Sequence, residues 1–132
     1  MANTLYDKGR QKFLEGGIAY LTDTIKVALV DTGVYTFSQT HEFLSDLSGV
    51  VGTAQTLGTK TSTSGVADAA DSTFTAVTGA TVEALVIYKD TGVAGTSPLI
   101  AYIDTATGLP ATPNSGNIGI TWDSGANKIF KL

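Results

Sequence analysis

Two Asp-Thr-Gly triplets are the residues in this chain best suited by type to do chemistry. Asp31-Thr32-Gly33 follows the apolar run VALV, and Asp90-Thr91-Gly92 follows ALVIYK. Two carboxylates converging on one water can share a proton, because like charges held close together cannot both ionise, and such a dyad hydrolyses peptide bonds. The requirement is strict, since both aspartates must enter one cleft. A chain of 132 residues has no room for two protease lobes, and a dimer built on one shared site would use only one triplet. The competing reading is an ordinary turn in which Asp accepts a local backbone hydrogen bond and Gly takes a positive φ. Asp104-Thr105 and Asp123-Ser124-Gly125 repeat the same chemistry, so turns are expected at both triplets.

Other constellations are thinner. His41 is the only histidine and stands beside Glu42, without the orienting partner that a general base needs or a second ligand at zinc spacing. A packing or turn role is expected. No serine lies in a G-x-S-x-G elbow, and GTKTSTSG has Gly and Lys without phosphate-loop spacing or a following helix. Asp68 and Asp71, with Asp104 or Asp123, could offer oxygens to Ca²⁺, but such a site needs six or more well-placed oxygens and a solvated loop is the expectation. No catalytic, cofactor-binding or metal-binding residue is therefore assigned, and no cofactor is expected. Tyr6, Tyr20, Tyr35, Tyr88, Tyr102 and Trp122 are either core or anchors for a partner. Two of them in one exposed groove would instead make a stacking platform for sugars.

The elements that must position these residues are mostly strands. TIKVALV is apolar on both faces apart from Lys26 and reads as a central strand. TVEALVIYKD is the strongest strand, SPLIAYIDT starts after Pro98, and GLPATPNSG is a loop. STFTAVTG alternates, with Phe74 and Ala76 opposed to Val77. Val34 to Leu47 reads as a polar crossing segment anchored by Tyr35, Phe37 and Phe43, ending in a short helical turn. Gly49 to Gly65 reads as a modest strand flanked by loops, extended from the core as an arm. NIGITW, a DSGAN turn and IFKL close the chain as a hairpin. One helix is predicted from about Leu5 to Leu14, capped by Asn3 or Thr4 and stopped by Gly16-Gly17. Six or seven strands with Gly- and Asx-rich turns predict one mainly β domain over residues 1–132. An antiparallel β-sandwich, jelly-roll-like, with a short N-terminal helix is favoured and a small barrel is the alternative. Residues 1–17 form its helical or docking segment.

Composition agrees. The chain has no cysteine, which removes disulfides and thiolate chemistry. Its net charge of -4 with only 15% charged residues repels phosphate backbones, so no nucleic acid partner is expected. Lys8, Arg10 and Lys12 form the one basic cluster, offset by Asp7 and Glu15. The first residues lack a secretory apolar core and no apolar run reaches the roughly 20 residues that cross a bilayer, so neither export by a signal nor a membrane partner is expected.

Five stretches carry a resemblance: MANTLYDKGRQKFLEGGIAYLTDTIKVALVDTGVYTF, THEFLSDLSG, VEALVIYKDTG, SPLIAYIDTATGLPATPNSGNI and ITWDSGANKIFKL. Together they resemble small virion structural proteins of tailed bacteriophages, in particular capsid decoration or cement proteins. The resemblance implies a non-enzymatic protein made in the host bacterial cytoplasm and carried on the outer capsid surface. It implies the major capsid protein as partner and a homo-oligomer, with a trimer at three-fold positions favoured. A tail-associated or host-glycan-binding module is the alternative. Partner contacts are expected from Tyr6, Lys8, Arg10, Lys12 and Phe13, from Leu57 in the Gly49 to Gly65 stretch, and from Leu109 in the Leu109 to Gly116 loop.

Overall fold

The computed structural model describes residues 3–122 and 128–132. A two-residue strand β1 (Thr4–Leu5) leads into α1 (Asp7–Leu14), followed by β2 (Ile25–Val30), β3 (Val50–Thr56), β4 (Thr61–Thr63), β5 (Val66–Asp68) and β6 (Ser72–Phe74). The longer strands β7 (Ala84–Lys89) and β8 (Leu99–Ile103) come next, then β9 (Ile118–Ile120) and β10 (Phe130–Lys131). The main sheet has the order β1-β8-β7-β2-β3, and two small sheets have the orders β10-β5-β4 and β6-β9. Every strand pair is antiparallel. The protein is mainly β, layered in the manner of a sandwich, and its sheets keep open edges rather than closing into a barrel.

The layering follows from side chains that alternate along strands but are apolar on both sides. Val27, Leu29, Leu85 and Ile87 are fully buried on one face of the main sheet. They pack with Phe74, Ile118, Ile120, Trp122 and Phe130 of the small sheets. Ala28, Val30, Ala84, Val86 and Tyr88 occupy the other face. There the crossing segment lies over them through Tyr35, Phe37, Leu44 and Leu47. Each fully buried Val, Leu or Ile contributes about 1.5–3 kcal/mol relative to exposure, so covering both faces outweighs anything a one-faced sheet would gain. The predicted strands at residues 25–30, 84–89 and 99–103 are all present, as their β-branched and aromatic composition requires.

Five expectations are revised. The helix begins at Asp7, because Leu5 belongs to β1, opposite Ala101, and Tyr6 is an extended N-cap at φ -71 and ψ 142. Asn3 caps no helix; its Oδ1 accepts from the Asp104 N–H at 2.9 Å. Gly49 to Gly65 is no projecting arm. It supplies the edge strand β3, with a register shift against β2 at Val27/Leu29 where Gly52 sits, and then β4. In the STFTAVTG stretch Ala76 has φ 50, which rotates the chain so that Val77 is buried with Phe74 and Ala76 is exposed. The expected closing hairpin is not the pairing found: β9 pairs with β6 and β10 with β5. Its turn, Asp123 to Asn127, lies outside the described residues.

The helix seals one edge of the main sheet. The Tyr6 N–H donates to the Ile100 carbonyl at 3.0 Å, and α1 then runs beside β8 where β1 has ended. Gly9 makes this approach possible, since a Cβ there would stand 2.5 Å from the Leu99 carbonyl oxygen. The predicted stop is real: Gly16 has φ 76, and the Gly17 N–H donates to the Lys12 carbonyl at 2.8 Å. Gly9→Ala is expected to lift the helix and lower stability by about 1–3 kcal/mol, the usual cost of overpacking, although alanine is the better helix former. Urea unfolding of the two chains measures this, and a more stable alanine variant would show the contact to be slack.

Candidate functional site

The two Asp-Thr-Gly triplets occupy opposite ends of one antiparallel pair. Ile25 pairs with Lys89 and Val30 with Ala84, so Asp31 follows one end of the ladder and Asp90 the other. At about 3.3 Å per residue they lie on the order of 20 Å apart and cannot share a water. Each closes its own turn: the Gly33 N–H donates to Asp31 Oδ1 at 2.8 Å and the Gly92 N–H to Asp90 Oδ1 at 3.0 Å. Asn114 repeats the device with the Gly116 N–H at 3.0 Å. The Gly92 N–H and the Lys26 ammonium, 3.0 Å away, hold the Asp90 carboxyl below its usual range, the opposite of what a proton-sharing carboxylate needs. The turn reading of the triplets is the structural one.

The remaining sequence candidates also have local partners. His41 Nδ1 lies 2.8 Å from the Tyr35 hydroxyl, which lies 2.9 Å from the hydroxyl of fully buried Tyr6. This chain pins the crossing segment to the start of α1. Burial, then the hydrogen bond to Tyr35, pushes the Tyr6 phenol far up, so it stays protonated and can donate. Asp71 Oδ1 accepts the Trp122 N–H at 3.1 Å, and the Asp68 carbonyl accepts the Tyr20 hydroxyl at 2.8 Å. The first ties the segment before β6 to the one after β9, and the second ties the turn at Tyr20 to β5. Among the described residues no three His, Asp or Glu side chains gather as a metal site. All five tyrosines and Trp122 are buried, so none presents an exposed ring on which a sugar could stack.

The expected partner contacts divide. Tyr6 is corrected to a core residue, since its ring packs against Phe37 at 5.2 Å and its hydroxyl is spent on Tyr35. Leu57 is corrected likewise, because the chain after β3 turns inward and leaves it 3% exposed. Leu109 is half-buried and packed on the core next to a cis bond to Pro110. Lys8, Arg10, Lys12 and Phe13 do meet the surface. Lys8 donates to Gln11, Arg10 pairs with Asp7 at 3.4 Å, and Lys12 stands 4.0 Å from Glu42. The ring of Phe13 packs 6.0 Å from Phe130.

These residues border a larger feature that the sequence reading missed. A hollow of about 380 Å³ is lined by Leu5, Arg10, Phe13, Leu14, Lys131 and Leu132. An adjoining one of about 410 Å³ shares Phe13 and Leu132 and adds Tyr20, Leu21 and Phe130. Leu14 is 90% exposed, Leu132 58% and Leu21 51%. Three large apolar side chains so open to water, and adjoining one another, form one exposed apolar patch. One signal was available in the sequence: Phe13 and Leu14 end a helix that is otherwise free of large apolar residues, and Leu132 follows the strand that Lys131 closes. What places them together is the docking of α1 beside β10, which no spacing announces.

A second apolar patch lies beyond the other end of β2. Val34 is 60% exposed and Val50 45%. With Asp31, Thr78 and Gly79 they line a shallow hollow of about 250 Å³. The neighbouring Glu83 carboxylate accepts from the Thr32 N–H at 2.9 Å and its hydroxyl at 3.0 Å. Comparison with known proteins adds no relative: no family model matches the sequence, and no curated protein matches it. No helix among the described residues is long and apolar enough to cross a membrane.

The polar bonds of the site region make two measurable claims. Tyr35→Phe removes the hydroxyl that partners the Tyr6 hydroxyl among the described residues and leaves a buried polar group unsatisfied, so urea unfolding is expected to show a loss of about 1–3 kcal/mol. The Ala19 N–H and the Lys89 ammonium lower the Asp23 carboxyl, as Gly92 and Lys26 lower Asp90. A carboxylate lowered in the folded state contributes stability above its unfolded pKa and loses it as pH falls through the folded value. Stability is therefore expected to decline below about pH 4, and Asp90→Asn should flatten that decline in thermal melts taken between pH 2 and 7. An unchanged slope would remove Asp90 from the account.

Proposed function

We propose that the chain is a non-enzymatic structural protein of a tailed-bacteriophage virion, bound to the outer capsid surface. It decorates or cements that surface through contacts with the major capsid protein and with its own copies, a trimer being the favoured homo-oligomer. The observation that carries this reading is the gathering of exposed large apolar side chains into two patches at the ends of a rigid sheet. A cement protein must hold fixed surfaces apart and in register, and a sheet buried on both faces supplies stiff spacing between them.

The sequence resemblance to virion decoration proteins supplies the setting. Chemistry gives no competing support, because the two aspartates best placed to form a dyad are separated by the length of a strand. A glycan-binding role in the tail would draw on exposed aromatic rings, and the tyrosines and Trp122 are committed to the interior.

Electron microscopy of purified virions labelled with a site-specific antibody against this chain tests the reading. Label distributed over the head is expected. Label confined to the tail or fibres would overturn the capsid assignment in favour of a tail protein. Head particles that lose integrity on heating when the protein is removed would identify cementing rather than passive decoration.

A further inference from the structure

The described part of the molecule exposes six large apolar side chains, and five of them fall in the two patches. Leu14, Leu21 and Leu132 line or border one, while Val34 and Val50 form the other. The two lie at opposite ends of β2. Leu21 precedes its first residue, and the Lys89 ammonium at that end donates to the Gly17 carbonyl at 2.9 Å, whereas Asp31 and Val34 follow its last residue.

Their charges are opposite. Residues 1–17 and 128–132 hold five cations, Lys8, Arg10, Lys12, Lys128 and Lys131, against Asp7 and Glu15, a net of +3. Arg10 and Lys131 line the Leu14 hollow, and among the described residues Lys131 has no carboxylate within ion-pair distance. Of the two cations Arg10 is paired with Asp7, and Glu15 accepts from Gln11, so Lys131 supplies the uncompensated charge. The Val34 hollow has Asp31 in its lining and Glu83 beside it, and among the described residues no Lys or Arg lines it.

We infer that copies of this chain join head to tail, the cation-edged apolar end around Leu14, Leu21 and Leu132 seating on the carboxylate-edged apolar end around Val34 and Val50 of the next copy. This deepens the proposed assembly role by naming a second copy as the partner of both patches. Burial of two apolar patches supplies the attraction, and the facing charges set the orientation. A symmetric contact of the Leu14 end with itself would bring Arg10 and Lys131 against their own counterparts, which like-charge repulsion opposes. A head-to-tail contact is heterologous. It closes into a ring if the rotation per copy allows, the trimer among the possible rings, and otherwise runs on as a filament.

Sedimentation velocity of the full chain, at low and high salt, tests the contact. The unmodified protein is expected to sediment as assemblies of at least twice the 13.6 kDa chain mass at low salt and to associate more weakly, without falling wholly to monomer, as salt screens the facing charges. Arg10→Glu with Lys131→Glu makes the first end acidic, and Thr78→Lys with Ala80→Lys, both exposed in the lining of the second hollow, makes that end basic while keeping Val34 and Val50. Each pair alone should return the protein to monomer, weakening association at least tenfold. All four together restore opposite charges and should restore assembly. The single changes Leu14→Ser and Val34→Ser, at exposed positions, give the same comparison should a charge variant fail to show a native thermal melt. A monomeric unmodified protein, assembly disrupted from one end only, or no recovery in the fourfold variant would each overturn the inference. Monomers from virions labelled over the head would overturn it while leaving the capsid role standing. Assemblies without head labelling would do the reverse.

Discussion

The middle of the main sheet has no face that water can touch. β2 and β7 carry Val, Leu, Ile and Ala on both sides, and β8 adds a third strand buried along its whole length. Such strands cannot stay folded as one layer, because whichever side was left open would expose fully apolar surface. The small sheets satisfy one side and the crossing segment the other. Much else in the molecule follows from that double demand. Tyr35, Phe37, Leu44 and Leu47 are apolar in an otherwise polar segment because they form its underside. The Tyr6–Tyr35–His41 chain exists because the phenol groups carried beneath that cover still need partners.

Burial at the centre leaves the edges and ends to meet other molecules. One edge of the main sheet is sealed by β1 and α1, with Gly9 letting the helix backbone come down onto β8. The other is formed by β3, whose register shift interrupts a regular ladder and makes a poor template for further strands. The apolar patches lie where those edge elements begin or end, one at Leu14, the last residue of α1, and one at Val34 beside Val50, the first residue of β3. Patches so placed suit the proposed assembly role, since the distance between them is set by backbone geometry rather than by a flexible loop.

The same antiparallel geometry governs the residues that looked most chemical. Asp31 and Asp90 each follow the last residue of a strand, and because β2 and β7 run in opposite directions, two strand ends mean two ends of the sheet. In a parallel arrangement the same triplets would have been neighbours. Their carboxylates instead cap local turns, and Asp90 also takes the Lys26 ammonium. Lys26, the one polar residue inside the central apolar run, thereby reaches the surface through an ion pair at the strand's end.

Much of the layered β architecture could be read before any coordinates. The runs IKVALV, ALVIYK and LIAYI announce strands buried on both faces, because local composition is enough when β-branched residues fill both parities of a strand. The turn role of the Asp-Thr-Gly triplets was legible for a similar reason: an Asx turn is closed by atoms two residues apart. Long-range pairing was not. That β10 joins β5 rather than β9, that Leu57 faces inward, that Ala76 breaks an alternation by adopting a positive φ, and that Leu14 comes to lie beside Leu132 all depend on partners dozens of residues away. Periodicity states which side of a strand is apolar. Only the tertiary structure decides what lies against it, because that choice is made by the total apolar surface removed from water when the layers close.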